Sequence, residues 1–416
     1  QAPRRFTPVS VAGLIVLAGL LVAIPFLTTT TSLRQATQIV VSVLAVLGVN
    51  IATGYGGMIS LGHGVFVGVG AFATGYYVGD LQLPWLLAIA LGAITAGLAG
   101  ALVGVPALRI RGIHLALVTL GLAIVFRPLS KRFPSITGGV SGRSIDARFD
   151  APGWWPSDGR MASSVYRYVF CVLIVLLVLW ATWNLVNSRF GRSMRALRDN
   201  HMAAAIYGID LVAARVTTFA ISAGIAGLCG ALQVLLVPFV SQDKYPAQES
   251  LVIYASAVIG GLGTIWGSVL GVLARTVLGK AGSALAGYDG LGPLGEFFDL
   301  LDESAFVFGV GLIILTFLFP RGLAGLGRKN QVLLGGSKFL NEMQPILQGE
   351  RLSKRGPKAV KRRRSLRMLF KKIDGQSRQQ RNELIKTAHL EHGYTLMEIG
   401  NYLGLHYTTV SKVINA

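Results

Sequence analysis

The chain is short of charge. Only 14% of its 416 residues are charged, and 52% are hydrophobic, whereas a soluble domain usually carries about 25% charged residues. Acidic residues are the scarcer sign, 19 against 39 Lys and Arg, and no Asp or Glu lies within any long apolar run. Ion- and proton-coupled carriers commonly use a midplane carboxylate to bind and release a cation, so this absence weighs against a coupled secondary carrier. The phosphate-cradling GxxxxGK(S/T) loop is also missing. If ATP drives the protein, another chain hydrolyses it. Cysteine is nearly absent: Cys171 and Cys229 both sit in apolar runs and read as small buried hydrophobes, with no disulfide or metal framework. No His, Glu and Cys cluster has metal-ligand spacing, and no Ser, His and Asp set stands out, so no cofactor, metal or catalytic residue is expected. A small-residue cleavage site is lacking too. The run Val9–Leu27 follows Arg4 and Arg5 in signal-like fashion, but Thr28–Thr31 comes next, and the run reads as a retained first span.

What the chain has in abundance is apolar length and glycine, with 52 Gly. A helix needs roughly 20 apolar residues to cross the hydrocarbon core. The candidates are Val9–Leu27, Ala36–Ala52, His63–Gly79, Pro84–Leu108, Gly112–Phe126, Tyr168–Val186, Val216–Val237, Ser250–Leu262, Thr264–Gly279 and Ser304–Pro320. The expected fold is an all-α polytopic membrane bundle of about ten spans. Ser250–Leu262 is too short to cross alone and continues through Gly260-Gly261-Leu262-Gly263, so a broken or re-entrant element is expected there. Basic flanks set orientation. Arg4 and Arg5 place the amino end in the cytoplasm. Counting spans then puts Arg109, Arg111, the Ser188–Arg215 loop and the Arg321–Lys329 end there as well. The loop Arg127–Ser164 runs against this rule, being basic yet external. Small residues recur every four positions at Gly92, Ala96, Gly100 and Gly104, at Gly64 and Gly68, and at Gly263, Gly267 and Gly271, a spacing that lets helix backbones approach closely.

Two segments carry more specific readings. The loop Ser188–Arg215, SRFGRSMRALRDNHMAAAIYGIDLVAAR, is too polar for lipid. Ala203–Ala205 favour helix, and Gly208 can close it in the left-handed conformation. A short helix outside the membrane offers a motor domain something to push; the plain alternative is a loop whose arginines only set topology. The second segment is Gly54–Gly64. Its glycines break helix regularity, and a break must face protein or a polar cavity rather than lipid. Tyr55, Gly56, Gly57, Ser60 and His63 are therefore expected near a translocation path. The alternative is that the glycines allow tight packing and His63 is a satisfied interior histidine.

The loop RALRDNHMAAAIYGI followed by FAISAGIAGLCGAL resembles the permeases of branched-chain amino-acid ABC importers. So do GYGGMISLGHGVFVGVGAF (Gly54–Phe72), VIGGLGTIWGSVLG (Val258–Gly271) and FPRGLAGL (Phe319–Leu326). The resemblance covers about residues 9–328. It implies a bacterial inner-membrane permease paired with a homologous permease, with two ATPase subunits docked below and a periplasmic substrate-binding protein above. Carried over with Arg195, the residues Arg198, Asp199, Asn200, Ala203, Ala204 and Gly208 would form the helix seated on the ATPase. Family members often carry an acidic residue beside those alanines, where this chain reads Ala204-Ala205-Ile206. Urea-type permeases look similar, which leaves the substrate open.

After residue 328 the composition changes. Residues 331–416 hold 16 Lys and Arg against 6 Asp and Glu. Residues 329–375 read as a basic linker, drawn to anionic lipid when near the membrane. Residues 376–416 read as a helix-turn-helix segment: Ile399, Leu403, Leu405, Val410 and Val413 are spaced to pack two short helices about Gly404. The second helix would present Tyr407, Thr408, Thr409, Ser411 and Lys412 to DNA; a small helical interaction module is the alternative. LGGSKFLNEMQPIL and HGYTLMEIGNYLGLHYTTVSKVI resemble the carboxyl region of transposases associated with repetitive extragenic palindromes. That family's catalytic domain has no counterpart here, so no transposase activity is expected. A membrane-anchored DNA-binding regulator is the rival reading of the whole chain.

Overall fold

A computed structural model describes residues 29–105, 112–146, 149–153, 155, 160–286, 323–325, 365–370, 378–390 and 394–415, together with Pro25 and His392. The chain divides into two compact units, residues 1–329 and 330–416.

The first unit is an all-α membrane bundle. Helix α1 (Thr30–Val49) starts where the Thr29 hydroxyl accepts the Ser32 N–H, and it runs directly into a π-helical segment, Asn50–Tyr55. There follow α2 (His63–Gly79), α3 (Trp85–Gly104), α4 (Ile113–Arg132), α5 (Arg160–Asn187), the short α6 (Arg189–Asp199) and α7 (His201–Ile206), then α8 (Leu211–Leu236), α9 (Ala247–Gly260) and α10 (Ile265–Ala286). Among the described residues five helical stretches are long and apolar enough to cross a membrane. The α9–α10 pair, bent by 118° at its break, makes a sixth. The chain is thus a multi-pass membrane protein. The runs Val9–Leu27 and Ser304–Pro320 fall outside the described residues, apart from Pro25.

Burial separates the helices into an interior and a periphery. The apolar windows of α1 and α8 are 72% and 67% buried, against 28% for both α3 and α5. Leu98, Leu102, Leu173, Leu177 and Trp180 are exposed on the latter two, as expected for side chains that face acyl tails. Helix α8 lies at the centre and packs on α3, α2 and α1. The four-residue stripe on α3 explains how. Gly92, Ala96, Gly100 and Gly104 are all buried, and a methyl at Gly100 would collide with the Ala223 side chain. From α8, a methyl at Gly227 would strike the Ala96 side chain, and one at Gly230 the Val67 carbonyl of α2. Small residues on both surfaces let the helices meet backbone to backbone, where dispersion replaces a hydrophobic drive that lipid does not supply.

The loops following α4 and α8 meet at one end of the bundle. Strand β1 (Arg143–Ser144) pairs antiparallel with β2 (Phe239–Val240), Arg143 opposite Val240. Arg127 pairs with Asp243, and Arg143 with Asp80. Two of the arginines that ran against the charge rule are therefore held by carboxylates.

Among the described residues of the second unit, a single helical turn at Leu366–Leu369 precedes three longer helices, α11 (Arg378–Leu390), α12 (Leu396–Leu403) and α13 (Tyr407–Asn415). Phe370, Ile385, Ala388, Ile399 and Val410 form its core, flanked by Leu403, Leu405 and Val413. Thr395 and Glu398 form a reciprocal capping box at the start of α12, satisfying two otherwise orphaned N–H groups. Gly404 closes the helix with φ 64°, a conformation that costs glycine little.

Overpacking a close helix contact typically costs about 1–3 kcal/mol. Gly227→Val and Gly230→Val are therefore expected to lower the melting temperature of the detergent-solubilised protein. Gly121→Ala, where the added methyl meets nothing within 4 Å, should leave it unchanged or raise it. Equal melting of all three variants would contradict the packing described.

Candidate functional site

The loop Ser188–Arg215 folds as two helices rather than one. The Ser188 hydroxyl accepts the Gly191 N–H to start α6. Asn200 then takes an extended conformation (φ −161°, ψ 107°), and its Oδ1 accepts the Met202 and Ala203 N–H groups at 3.0 and 3.1 Å, starting α7. Asp210 repeats this device at α8, accepting from Val212 and Ala213 at 2.9 and 3.0 Å. Gly208, with φ 76°, turns the chain between them. Met194 and Leu197 bury one face of α6, and Ala204 buries one side of α7. Met202, Ile206 and Tyr207 are 73%, 84% and 85% exposed, and Ala203 is half-buried. The outward face of this element is thus an apolar knob that sequence reading passed over in favour of the polar residues. Met202 and Ile206 fall at the i, i+4 spacing of one helix face, with Tyr207 following as the C-cap of α7; that spacing is the signal that could have found them.

Two of the basic residues, Arg195 and Arg198, bond back to the bundle. Arg195 Nη2 donates to the Val186 carbonyl at 3.2 Å. Arg198 Nη1 donates to the Gly54 carbonyl at 2.8 Å, while its Nε holds Asp199 at 2.9 Å. Arg198 lies flat against Gly57, whose φ is 68°, and a side chain on Gly57 would occupy the same space. Gly57 is in effect the seat of Arg198.

Gly54 belongs to the π segment of α1, and Asn50 opens that segment. Asn50 is fully buried. Its Nδ2 donates to the Thr264 carbonyl at 2.6 Å and to Ser268 Oγ at 3.0 Å, and its Oδ1 accepts the Gly263 N–H at 2.7 Å. Gly263 and Thr264 belong to the break between α9 and α10, and Ser268 to the first turn of α10; the break interrupts the regular pairing of the backbone there. Thr264 Oγ1 donates to the Gly261 carbonyl at 2.8 Å and accepts the Gly267 N–H at 3.1 Å. One side chain from α1 thereby satisfies the interrupted backbone of another element, as such a break requires.

Of the residues expected along a translocation path, Tyr55 and Gly56 are buried, and Ser60 and His63 are fully buried. His63 Nδ1 bonds Ser60 Oγ at 2.8 Å, and Nε2 bonds Ser222 Oγ of α8 at 3.1 Å. Phe66 and Phe219 pack edge-on and tilted against its ring. This is the geometry of a satisfied interior histidine. The Gly54–Gly57 part of the break lies beside α6, whereas Ser60 and His63 lie against Ser222, well along α8. The helical stretch from Thr30 to Tyr55 has 26 residues, about 39 Å at 1.5 Å each, which exceeds the ~30 Å hydrocarbon core. Polar cavities open toward the other end of α1, around Gln35, Gln38, Ser42, Glu249 and Arg275. In the second unit Thr408, Thr409 and Lys412 are exposed on α13 and Ser411 is half-buried; Tyr407 begins the helix. No group of three or more potential metal ligands occurs among the described residues.

Residues 32–316 match the family model described as branched-chain amino acid transport system / permease component. The chain is 30% identical over 286 residues to the high-affinity branched-chain amino acid transport system permease protein LivM of Salmonella typhimurium, covering 64% of this chain and 66% of that protein. The LivM protein of Escherichia coli K12 gives the same identity and coverage. The LivH permease of Salmonella typhimurium is 26% identical over 301 residues, covering 68% of this chain and 90% of its own length. The chain thus spans just under two thirds of the LivM relatives. No solved structure matches it.

Replacing Asn50 by Leu would remove the partner of the half-buried Gly263 N–H, at about 1–3 kcal/mol, and one of the two bonds to the Thr264 carbonyl, which still accepts the Gly267 N–H. Asn50→Leu is therefore expected to lower the melting temperature markedly, and hydrogen exchange at Gly263 should quicken more than exchange in α8. Unchanged protection at Gly263 would refute the role given to this amide.

Proposed function

The chain belongs to the branched-chain amino acid transport permease family, and from that premise we propose that it is the membrane-spanning permease subunit of an ABC importer for branched-chain amino acids. On this reading it performs no hydrolysis itself. It pairs with a homologous second permease, rests on two ATPase subunits, and receives substrate from a periplasmic binding protein. It resides in the bacterial inner membrane with ten spans, two of them contributed by Val9–Leu27 and Ser304–Pro320, and with Arg4, Arg5 and the Arg321–Lys329 stretch on the cytoplasmic side.

The observation that carries the reading is the α6–Asn200–α7 element. It exposes Met202, Ile206 and Tyr207 while Arg198 reaches back to the Gly54 carbonyl. The exposed trio is the contact for the ATPase. Arg198, assisted by Asp199 and seated on Gly57, carries displacement of that contact into α1. Arg195, Asn200, Ala203, Ala204 and Gly208 shape and anchor the element. Tyr55, Gly56, Ser60 and His63 support the path from behind, through packing and hydrogen bonds.

Ile206→Asp is expected to abolish co-purification of the ATPase subunits with the permease. Arg198→Ala should leave co-purification intact yet reduce uptake of radiolabelled leucine by about tenfold or more, the factor that corresponds to ~1.4 kcal/mol, close to the net worth of one charge-assisted bond. Normal ATPase recovery with Ile206→Asp would overturn the docking assignment.

A second activity is attached to residues 330–416. The α12–Gly404–α13 arrangement, with Thr408, Thr409 and Lys412 exposed, supports a helix-turn-helix that contacts DNA through Tyr407, Thr408, Thr409, Ser411 and Lys412, joined by a basic linker. Deleting residues 331–416 should leave leucine uptake intact and remove DNA retention. Lost regulation of a target gene with transport already blocked would instead favour the membrane-anchored regulator.

A further inference from the structure

At the end of α1 remote from Arg198, a cavity of about 350 Å3 lies between α1, α9 and α10, lined by Gln35, Gln38, Ser42, Glu249, Arg275 and Thr276 among others. A second, narrow pocket of about 40 Å3 begins behind it and shares Ser42, Glu249 and Arg275 with the first. The shared residues form the throat. Beyond them the inner pocket is bounded by Ala45, Gly64, Val67 and Ile253 together with Gln233, Lys244 and Tyr245, a lining of mixed polarity. Arg275 Nη2 donates to both carboxylate oxygens of Glu249, at 2.9 and 3.0 Å. The two side chains are only 31% and 33% exposed. Glu249 stands in the first turn of α9 and Arg275 on α10, so the ion pair closes the α9–α10 pair opposite the end that Asn50 holds.

A partly buried ion pair gives back part of its attraction to desolvation. Apolar residues would close the same gap at least as well. The pair has one property they lack: it can exchange partners without leaving either charge uncompensated. A zwitterion presents a carboxylate and an ammonium a few ångströms apart. Its carboxylate fits the guanidinium fork, with its five fixed donors, and its ammonium fits the carboxylate. Insertion converts one ion pair into two and leaves the net charge of the throat unchanged.

We propose that Glu249 and Arg275 form an acceptor site for the α-ammonium and α-carboxylate of an amino acid. Gln35, Gln38 and Ser42 hydrogen-bond its approach, and Ile39 and Val272 lie against its aliphatic side chain. Parting of the ion pair opens the narrow inner pocket. This inference rests on the transport reading above, in which this end of the bundle receives substrate.

The test uses the complete complex in proteoliposomes, with binding protein and radiolabelled leucine. Glu249→Gln and Arg275→Gln should each lower uptake roughly 10- to 100-fold, the range expected for losing a hydrogen bond to a charged group. Binding-protein-stimulated ATP hydrolysis should continue. The double variant Glu249→Gln/Arg275→Gln leaves no uncompensated charge and keeps a hydrogen-bonding side chain at each position, so it should assemble and melt normally while remaining just as deficient in uptake. Normal uptake by the double variant would overturn the site. So would full recovery in the charge-swapped Glu249→Arg/Arg275→Glu protein, since a mere strut tolerates reversal. An unsubstituted complex that moves no leucine would overturn the transport reading and this site with it.

Discussion

One buried amide organises the end of the bundle nearest α6. Asn50 uses both its donors and its acceptor on the break between α9 and α10 and on the first turn of α10. A polar group in that interior is tolerable only when fully partnered, and so is an interrupted backbone. Each defect is therefore the remedy for the other. The widened π turn that begins at Asn50 also frees the Gly54 carbonyl to receive Arg198. Three elements distant in sequence, the end of α1, the α9–α10 break and α6, are in this way bound to one small set of hydrogen bonds.

The remainder of the unit gives that set a rigid frame. Helix α8 is wedged among α3, α2 and α1 through contacts that leave no room for a Cβ at Gly227 or Gly230. Such packing resists small adjustments, and movement passes through it by whole elements. From Gly54 to Gln38 along α1 is sixteen residues, about 24 Å of helix. The helix thus spans from the Arg198 contact to the cavity that Glu249 and Arg275 close. A displacement at α6 has a stiff path to that throat, with α1 lining one wall of it.

Local sequence carried much of this architecture. Apolar run length identifies the spans, because the hydrocarbon thickness sets it. The predicted run His63–Gly79 coincides with α2, and the other runs that fall on described residues lie largely within helices. The stripe on α3 was readable because four-residue spacing fixes one helix face. Gly404 was readable as a turn because few other residues adopt its backbone conformation. Where local reading misled, a distant partner was responsible. The loop after α5 read as one helix, yet Asn200 prefers to cap and so divides it. For His63 the local pattern left open a path residue or a satisfied interior histidine, and it could not show that Ser222, 159 positions away, completes its hydrogen bonding.

By itself, then, the sequence determined that this is a many-helix membrane protein, where its helices run, which of their faces are small enough to touch, and which family it belongs to. All of these follow from composition, periodicity and motif order along the chain. Tertiary structure alone decided that Asn50 meets Gly263, 213 residues on, that Arg198 turns inward to leave Met202, Ile206 and Tyr207 outside, and that Glu249 and Arg275 share a throat. The physical reason is common to all three. A hydrogen bond or ion pair between separate helices depends on how they cross and in which register, and no periodicity within either helix encodes that.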